Sequence, residues 1–391
     1  MNVVFLKSNT FCAREIENAL KKRSGTDINL LVAAIPEKVP PQAAPSIFNQ
    51  LRRHLPAIVI SINNAGYDLA GGLSDLLASQ GAYQCNWFVD DPFYEDIFCN
   101  RRMPALKNRL DFVSEESFVP LMKQKGMNAH FLPLATDSRY FTAHAGARTY
   151  LRDCAFVGNS SLSLLDSIIT KEVAPQFEKV AQVLADLKKC YYENPAETDI
   201  ADLLLKKADQ WQPVITMDPR QFLFRMEWLV GYFHRRDFIA AIARKLGKRF
   251  MCFGDIYWSK FIDPSQVSTD ACYYTNLCEY YQTTKVNLNI NRIQIRTAFT
   301  QRIFDCKAAG AFVLTEKRKL NNRFFATEGA NRELVEFTSW QNCLDLIDHY
   351  CEHDEERERI ALAGRDKVLK EHTYDRRIEQ IFESCRKEWG I

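Results

Sequence analysis

Hydrophobic and polar positions along this chain repeat with two periods, the alternation of a half-buried strand and the longer spacing of a one-sided helix. Val3 to Leu6 is an apolar run, and Ala13 to Lys22 follows with helical spacing. Ile28 to Ala34 then reads as a strand, Ile47 to His54 as a helix, and Ala57 to Ile62 as a strongly buried strand. Tyr83 to Val89, Asp111 to Ser114 and Ala129 to Leu132 continue the series. After about residue 150 the alternation restarts with Cys154 to Val157, Arg249 to Phe253, Val286 to Ile290, Phe312 to Leu314 and Leu334 to Phe337. Strand, helix, strand in this order predicts parallel sheets covered by helices.

Two stretches depart from simple alternation. From about Leu162 to Leu246 the spacing is largely helical, with Gly247 as its stop, and this reads as an insertion that shapes a binding face or meets a partner. Within it HRRDFIAAIARKLGKR is expected to be an amphipathic helix with a solvated basic face. From about Thr297 a helix is expected to carry Ile303, Phe304, Cys306 and Lys307 on one broad face and to close on Ala308, Ala309 and Gly310. The last segment predicts helices from Gln341 to Glu352, Asp354 to Lys370 and Arg376 to Trp389.

With 391 residues the chain is too long for one ordinary core, so two domains are expected. A net charge of +2 gives no polyanion footprint, which argues against a nucleic-acid partner. No apolar run approaches the roughly 20 residues that span a bilayer, so no transmembrane segment is expected. The start, MNVVFLKSNTFCAREIENAL, reads as strand then helix and not as a signal segment, and the expectation is a cytoplasmic protein. Twelve cysteines include no C-x-x-C pair, so they read as buried thiols such as Cys85, Cys154, Cys252 and Cys306, and no metal site is expected.

Candidate chemistry sits at the ends of the predicted strands, where open parallel sheets place their ligands. Asp90 and Asp91 follow the Tyr83 to Val89 strand, and Pro92 stiffens their turn. A partly desolvated aspartate here would accept a proton from a hydroxyl; alternatively one carboxylate caps the next segment and the other is solvated. The loop NNAGYDLAGG, from Asn63, is a candidate cleft rim or a plain turn. Gly158, Asn159 and Ser160 stand between a strand and a helix, suited to a phosphate or to simple N-capping. Gly254 closes the next strand. Arg302 and Asp305, three apart on one helix, read as a phosphate and sugar-hydroxyl pair or as a surface ion pair.

The run QRIFDCKAAGAFVLTE, followed by NRELVEF and later EHTYDRR, resembles the CgeB-like (spore maturation protein-like) glycosyltransferases. Their pattern is a Gln-Arg-x-Phe-Asp/Glu start, an Ala/Gly close and a late His-Thr-Tyr. The resemblance covers most of the C-terminal half and, more weakly, the N-terminal half. That group is similar to the wider GT-B glycosyltransferases. The resemblance therefore implies an α/β GT-B fold of two Rossmann-like domains, their parallel sheets facing a central cleft. The expected bounds are 1–140 for the acceptor-side domain and 141–375 for the nucleotide-sugar-binding domain with its insertion over about 162–246. The helix of 376–391 is expected to cross back to the first domain.

The same resemblance implies a hexosyltransferase-like enzyme that moves a sugar from a nucleotide-sugar donor to a protein or glycan acceptor. Neither metal nor further cofactor is expected, because basic side chains and helix N-termini hold the diphosphate. Arg302 would contact that diphosphate, with Arg296 behind it and Gly158, Asn159 and Ser160 supplying amides. Asp305 would hold the ribose hydroxyls, Glu333 would shape the same pocket, and Tyr281 matches an aromatic that packs on the base or in the core. Asp90 or Asp91 would be the base if the reaction inverts. Two departures stand out: Thr297 where retaining relatives often have glutamate, and Thr300 where asparagine is usual. Two other readings fit the same chain: a nucleotide-sugar epimerase or hydrolase, and a non-catalytic nucleotide-sugar-binding scaffold.

Overall fold

The computed structural model describes residues 1–36, 39–68, 71–93, 108–143, 149–168, 177–293, 295–297 and 299–391. Positions 69–70 of the expected rim loop and 169–176 of the expected helical stretch lie outside them. The chain divides into two compact units, one made of Met1–Asp137 with Glu371–Ile391 and one of Ser138–Lys370.

The first unit runs β1 (Asn2–Lys7), α1 (Ala13–Arg23), β2 (Asn29–Ala34), α2 (Ala44–Leu51), β3 (Ile58–Ile62), α3 (Gly72–Ser79), β4 (Tyr83–Phe88), β5 (Arg109–Val113), α4 (Val119–Gln124) and β6 (Ala129–Phe131). These strands form a sheet in the order β2-β1-β3-β4-β5-β6, with every pair parallel. All five residues of β3 are buried, as expected for a strand covered on both faces.

The second unit runs β7 (Arg152–Val157), α5 (Leu162–Ile168), α6 (Phe177–Glu193), α7 (Ile200–Lys206), α8 (Ala208–Trp211), α9 (Pro219–Leu246), β8 (Phe250–Phe253), β9 (Val267–Ser268), α10 (Leu277–Gln282) and β10 (Thr284–Asn289). It continues with α11 (Gln301–Ala308), β11 (Val313–Glu316), α12 (Asn321–Phe324), β12 (Val335–Phe337), α13 (Trp340–Glu352) and α14 (Asp354–Glu371). Its sheet, β12-β11-β10-β7-β8-β9, is likewise parallel throughout. The last helix, α15 (Tyr374–Trp389), belongs to the first unit, where Arg377 Nε donates to the carbonyl of Pro133 at 2.7 Å.

Two details differ from the sequence reading. Helix α11 starts at Gln301 and not near Thr297, because Thr300 keeps an extended backbone at the cap. Helix α9 carries the expected basic outer face only in its last turns, where Arg244 and Lys245 are exposed opposite buried Ile239, Ile242, Ala243 and Leu246; His234 and Arg235, at the start of that cluster, are buried. The reason is that α9 serves two cores in succession. Phe222, Met226, Leu229 and Val230 pack with Trp211 and Leu204 in the helical layer. Ile239, Ile242, Ala243 and Leu246 pack with the sheet residues Phe156, Val286 and Leu314. A helix that is apolar on one side and then on another shows no single stripe. Gly231 marks the changeover, since a Cβ there would lie 2.5 Å from Ile293 Cβ.

Candidate functional site

In the second unit the carboxyl ends of β7 and β10 carry a buried polar network. Asn289 is fully buried at the end of β10, where its Nδ2 donates to Asn291 Oδ1 (2.8 Å) and Thr315 Oγ1 (2.9 Å). Its Oδ1 accepts from Thr300 Oγ1 (3.0 Å) and from Arg302 Nη1 (2.6 Å). Helix α11 thus delivers Arg302 to a strand-end acceptor that fixes the guanidinium without neutralising it. Arg302 also lies over the Phe156 ring at 5.0 Å, and the Arg235 guanidinium lies over the same ring at 5.6 Å.

Arg235 Nη2 donates to the carbonyl of Ile290 at 3.0 Å. Burial, then repulsion from Arg292 and Arg302, pushes Arg235 well below the usual arginine range. Burial lowers Arg302 as well, with Arg292 adding repulsion. Arg292 is exposed at the outer side of this group. Among the described residues none of the three has a carboxylate within 4.0 Å. Guanidiniums gathered in this way, with no carboxylate within 4.0 Å among the described residues, raise the local positive potential and favour an anion.

Beside them, the Asp305 side chain accepts from the Tyr273 hydroxyl at 2.9 Å and is buried. Gln301 donates to the same hydroxyl. Gly158 approaches Arg302 so closely that a Cβ on it would stand 2.9 Å from Nη2. A Cβ on Gly254 would collide with the Gly158 carbonyl, so these two strand ends pass backbone to backbone. The structure therefore brings Gly158, Gly254 and Arg302 together, with Asp305 one helical turn along from the arginine.

The remaining candidates are placed differently. Gly158 N–H is used by the carbonyl of Phe253 (2.8 Å) and Ser160 N–H by Asp255 Oδ2 (2.8 Å), while Asn159 is exposed. Tyr281 is in the core beside Phe141, its ring 6.1 Å away, and not on an open face. Arg296 points to the helical layer, 2.8 Å from Glu227 and 3.8 Å from Asp199. Glu333 braces its own loop by accepting from Ala326 N–H at 2.8 Å.

In the first unit Asp90 is exposed after β4, and its Oδ2 accepts from Asn63 Nδ2 at 2.9 Å. Asn63 Oδ1 in turn takes the Val89 amide at 2.9 Å, so the turn after β3 aims this carboxylate. Asp91 Oδ1 accepts from Phe93 N–H at 2.8 Å, the capping alternative for that residue. Among the described residues no three His, Cys, Asp or Glu side chains gather as a metal-ligand set. Cys85, Cys154, Cys252 and Cys306 are buried thiols.

Sequence reasoning passed over Arg235, Arg292, Tyr273 and the buried pair Glu316–Arg318, whose atoms lie 3.2 Å apart. Glu316 Oε2 also accepts from the Asn291 amide at 2.9 Å, which ties the end of β11 to the network. One signal was present: a buried-strand run ending in Glu316 puts a carboxylate where only a paired one is tolerated.

Residues 234–383 match a family described as glycosyl transferase-like. Sucrose-phosphate synthase from Thermosynechococcus elongatus is similar in structure at 10% identity, with a TM-score of 0.52 over 100% of this chain and 99% of that one. A glycosyltransferase from Rickettsia africae ESF-5 is similar at 12% identity, with a TM-score of 0.50 over 99% and 98% of the two chains. No protein of curated function matches the sequence significantly. The fold is that of the GT-B glycosyltransferases, two parallel α/β sheets with surrounding helices. No helix among the described residues is long and apolar enough to cross a membrane.

Proposed function

We propose that this chain is a glycosyltransferase that moves a sugar from a nucleotide-sugar donor to a protein or glycan acceptor, without a metal ion. The observation that carries the reading is the group of Arg235, Arg292 and Arg302, which among the described residues has no carboxylate within 4.0 Å and stands beside Asp305 and Tyr273. Sugar transfer leaves negative charge on the departing diphosphate, and preorganised cations stabilise that charge where it develops. Arg302, fixed by Asn289, holds the diphosphate, and Arg292 meets it from the solvent side. Asp305 accepts from a ribose hydroxyl once Tyr273 shares it. Asp90, aimed by Asn63, takes the acceptor's proton; Asp91 shapes the turn that presents it.

The test is release of nucleoside diphosphate from a panel of nucleotide sugars, with and without a mixed glycan and peptide acceptor pool, in the presence of a chelator. The expected result is acceptor-dependent release that persists with the chelator. Asp90→Asn should slow it about 10²- to 10⁴-fold, as loss of a general base does, and Asp91→Asn should slow it much less. Release that ignores the acceptor would favour a hydrolase, and donor binding without any release would favour a scaffold.

A further inference from the structure

A cavity of about 370 Å³ lies in the second unit between the helical layer and the edge of the sheet. That is within the range of small-molecule sites, about 300–1,000 Å³. None of the three arginines lines it. Its walls are Tyr192, Phe238 and Trp340, and its floor holds His234, Glu316 and Phe337. Phe238 stacks on Phe337 at 5.3 Å and meets Trp340 edge-on at 5.4 Å, so the walls are rigid aromatic surfaces.

The floor has an unmet demand. Glu316 is 2% exposed, and its Oε1 makes no hydrogen bond among the described residues. His234 Nε2 stands 3.6 Å from it, too far for a hydrogen bond. Less than 1 Å² of that oxygen is accessible, so a donor in the cavity meets it once the side chains over it shift.

Charge selects the kind of donor. Glu316 already has Arg318 at 3.2 Å, and Asp237 has Arg236 at 2.5 Å and Lys188 at 3.7 Å. Lys317 adds a cation at the rim. Both carboxylates of the lining thus already have basic partners, so a neutral hydroxyl suits Glu316 better than an organic cation. Exposed Asn194, Thr338 and Ser339 at the mouth offer further polar partners. A body with apolar C–H faces for aromatic walls and hydroxyls for a carboxylate floor and an amide-and-hydroxyl rim is a sugar ring.

We propose that this cavity is a saccharide-binding site for a neutral hexose-class unit, separate from the arginine cluster. The unit stacks against Trp340 and Phe238 and gives a hydroxyl proton to Glu316 Oε1 as a hydrogen bond. This inference does not depend on the donor-site reading. The sugar is either free or the end of a glycan, and both present the same chemistry.

Saturation-transfer NMR on the full chain tests it, with methyl glycosides of glucose, galactose, mannose and N-acetylglucosamine, methyl maltoside and methyl cellobioside, and phenethylamine as a cationic probe. At least one neutral glycoside should show saturation of its ring C–H protons. The signal should fall at least tenfold in Trp340→Ala and in the cavity-filling Ala241→Phe, both checked for folding by circular dichroism, and persist in Arg302→Ala. Tighter binding of a disaccharide glycoside would mark a glycan end as the source, and equal binding a free sugar. Silence from every glycoside, a signal that survives both cavity variants, a signal lost in Arg302→Ala instead, or saturation of phenethylamine alone would each overturn the proposal.

Discussion

The two sheets of this chain are both parallel and six-stranded, yet Arg109 in the first unit and Arg302 with Arg235 in the second are held in opposite ways. On the first sheet Arg109 is closed off. Its Nε and Nη2 donate to Asp111 at 2.8 and 2.5 Å, and Nη2 also reaches Asn64. In the second unit Arg302 and Arg235 are held by neutral oxygens, Asn289 Oδ1 and the Ile290 carbonyl, and repel one another. A cation with a carboxylate partner is a structural element. A cation positioned by neutral acceptors has its charge still available. Arg377 of the first unit is also held by carbonyls, so it is the gathering of Arg302 and Arg235 over one ring that sets the second-unit group apart.

The comparison is sharpest where a partner is removed. Arg109→Ala should cost about 3–5 kcal/mol of stability, because Asp111 is then left buried and unpaired. Chemical denaturation measures it, and nucleotide binding by the folded fraction should not change. Arg318→Ala should cost a similar amount by stranding Glu316. If either variant is as stable as the parent, the division into struts and site residues fails.

A smaller effect follows from His234. Burial, then the nearby Arg318 and Arg235, hold it below the usual histidine value of about 6.5, against the pull of Glu316. The folded chain thus takes up this proton less readily than the unfolded chain. Stability from the neutral imidazole is complete above about pH 6.5 and is lost as pH falls below it, by at most about 1.4 kcal/mol per pH unit. Denaturation between pH 7.5 and 5 should show a shallower slope in His234→Gln than in the parent. Equal slopes would place the titration elsewhere.

Much of the fold is legible in the sequence because both sheets are built from runs whose apolar lengths and turn residues are local signals. Ala57 to Ile62 and Val286 to Ile290 are of this kind. Arg302 was legible from the local run QRIFDCKAAGAFVLTE, which places it three residues before Asp305 on one helix. Arg235 was not, because α9 changes its buried side near Gly231 and its cations look solvated when read on one helical face. The aim of Asp90 was also hidden, since it depends on Asn63, which is 27 residues away in sequence. Glu316 needed Arg318, Asn291 and His234 from three separate segments before its buried carboxylate made sense.

The measurement that bears most directly on this account is calorimetric titration of nucleoside diphosphates into the parent, Arg302→Ala and Arg296→Ala. A charged hydrogen-bonding group is worth about 1.5–3 kcal/mol, so Arg302→Ala should bind roughly 10- to 100-fold more weakly while keeping its melting temperature. Arg296→Ala should bind as the parent does, because that arginine is already paired with Glu227. Equal affinity in the parent and Arg302→Ala, or loss of binding through Arg296→Ala alone, would contradict the claim that the arginines around Phe156 are the anion site.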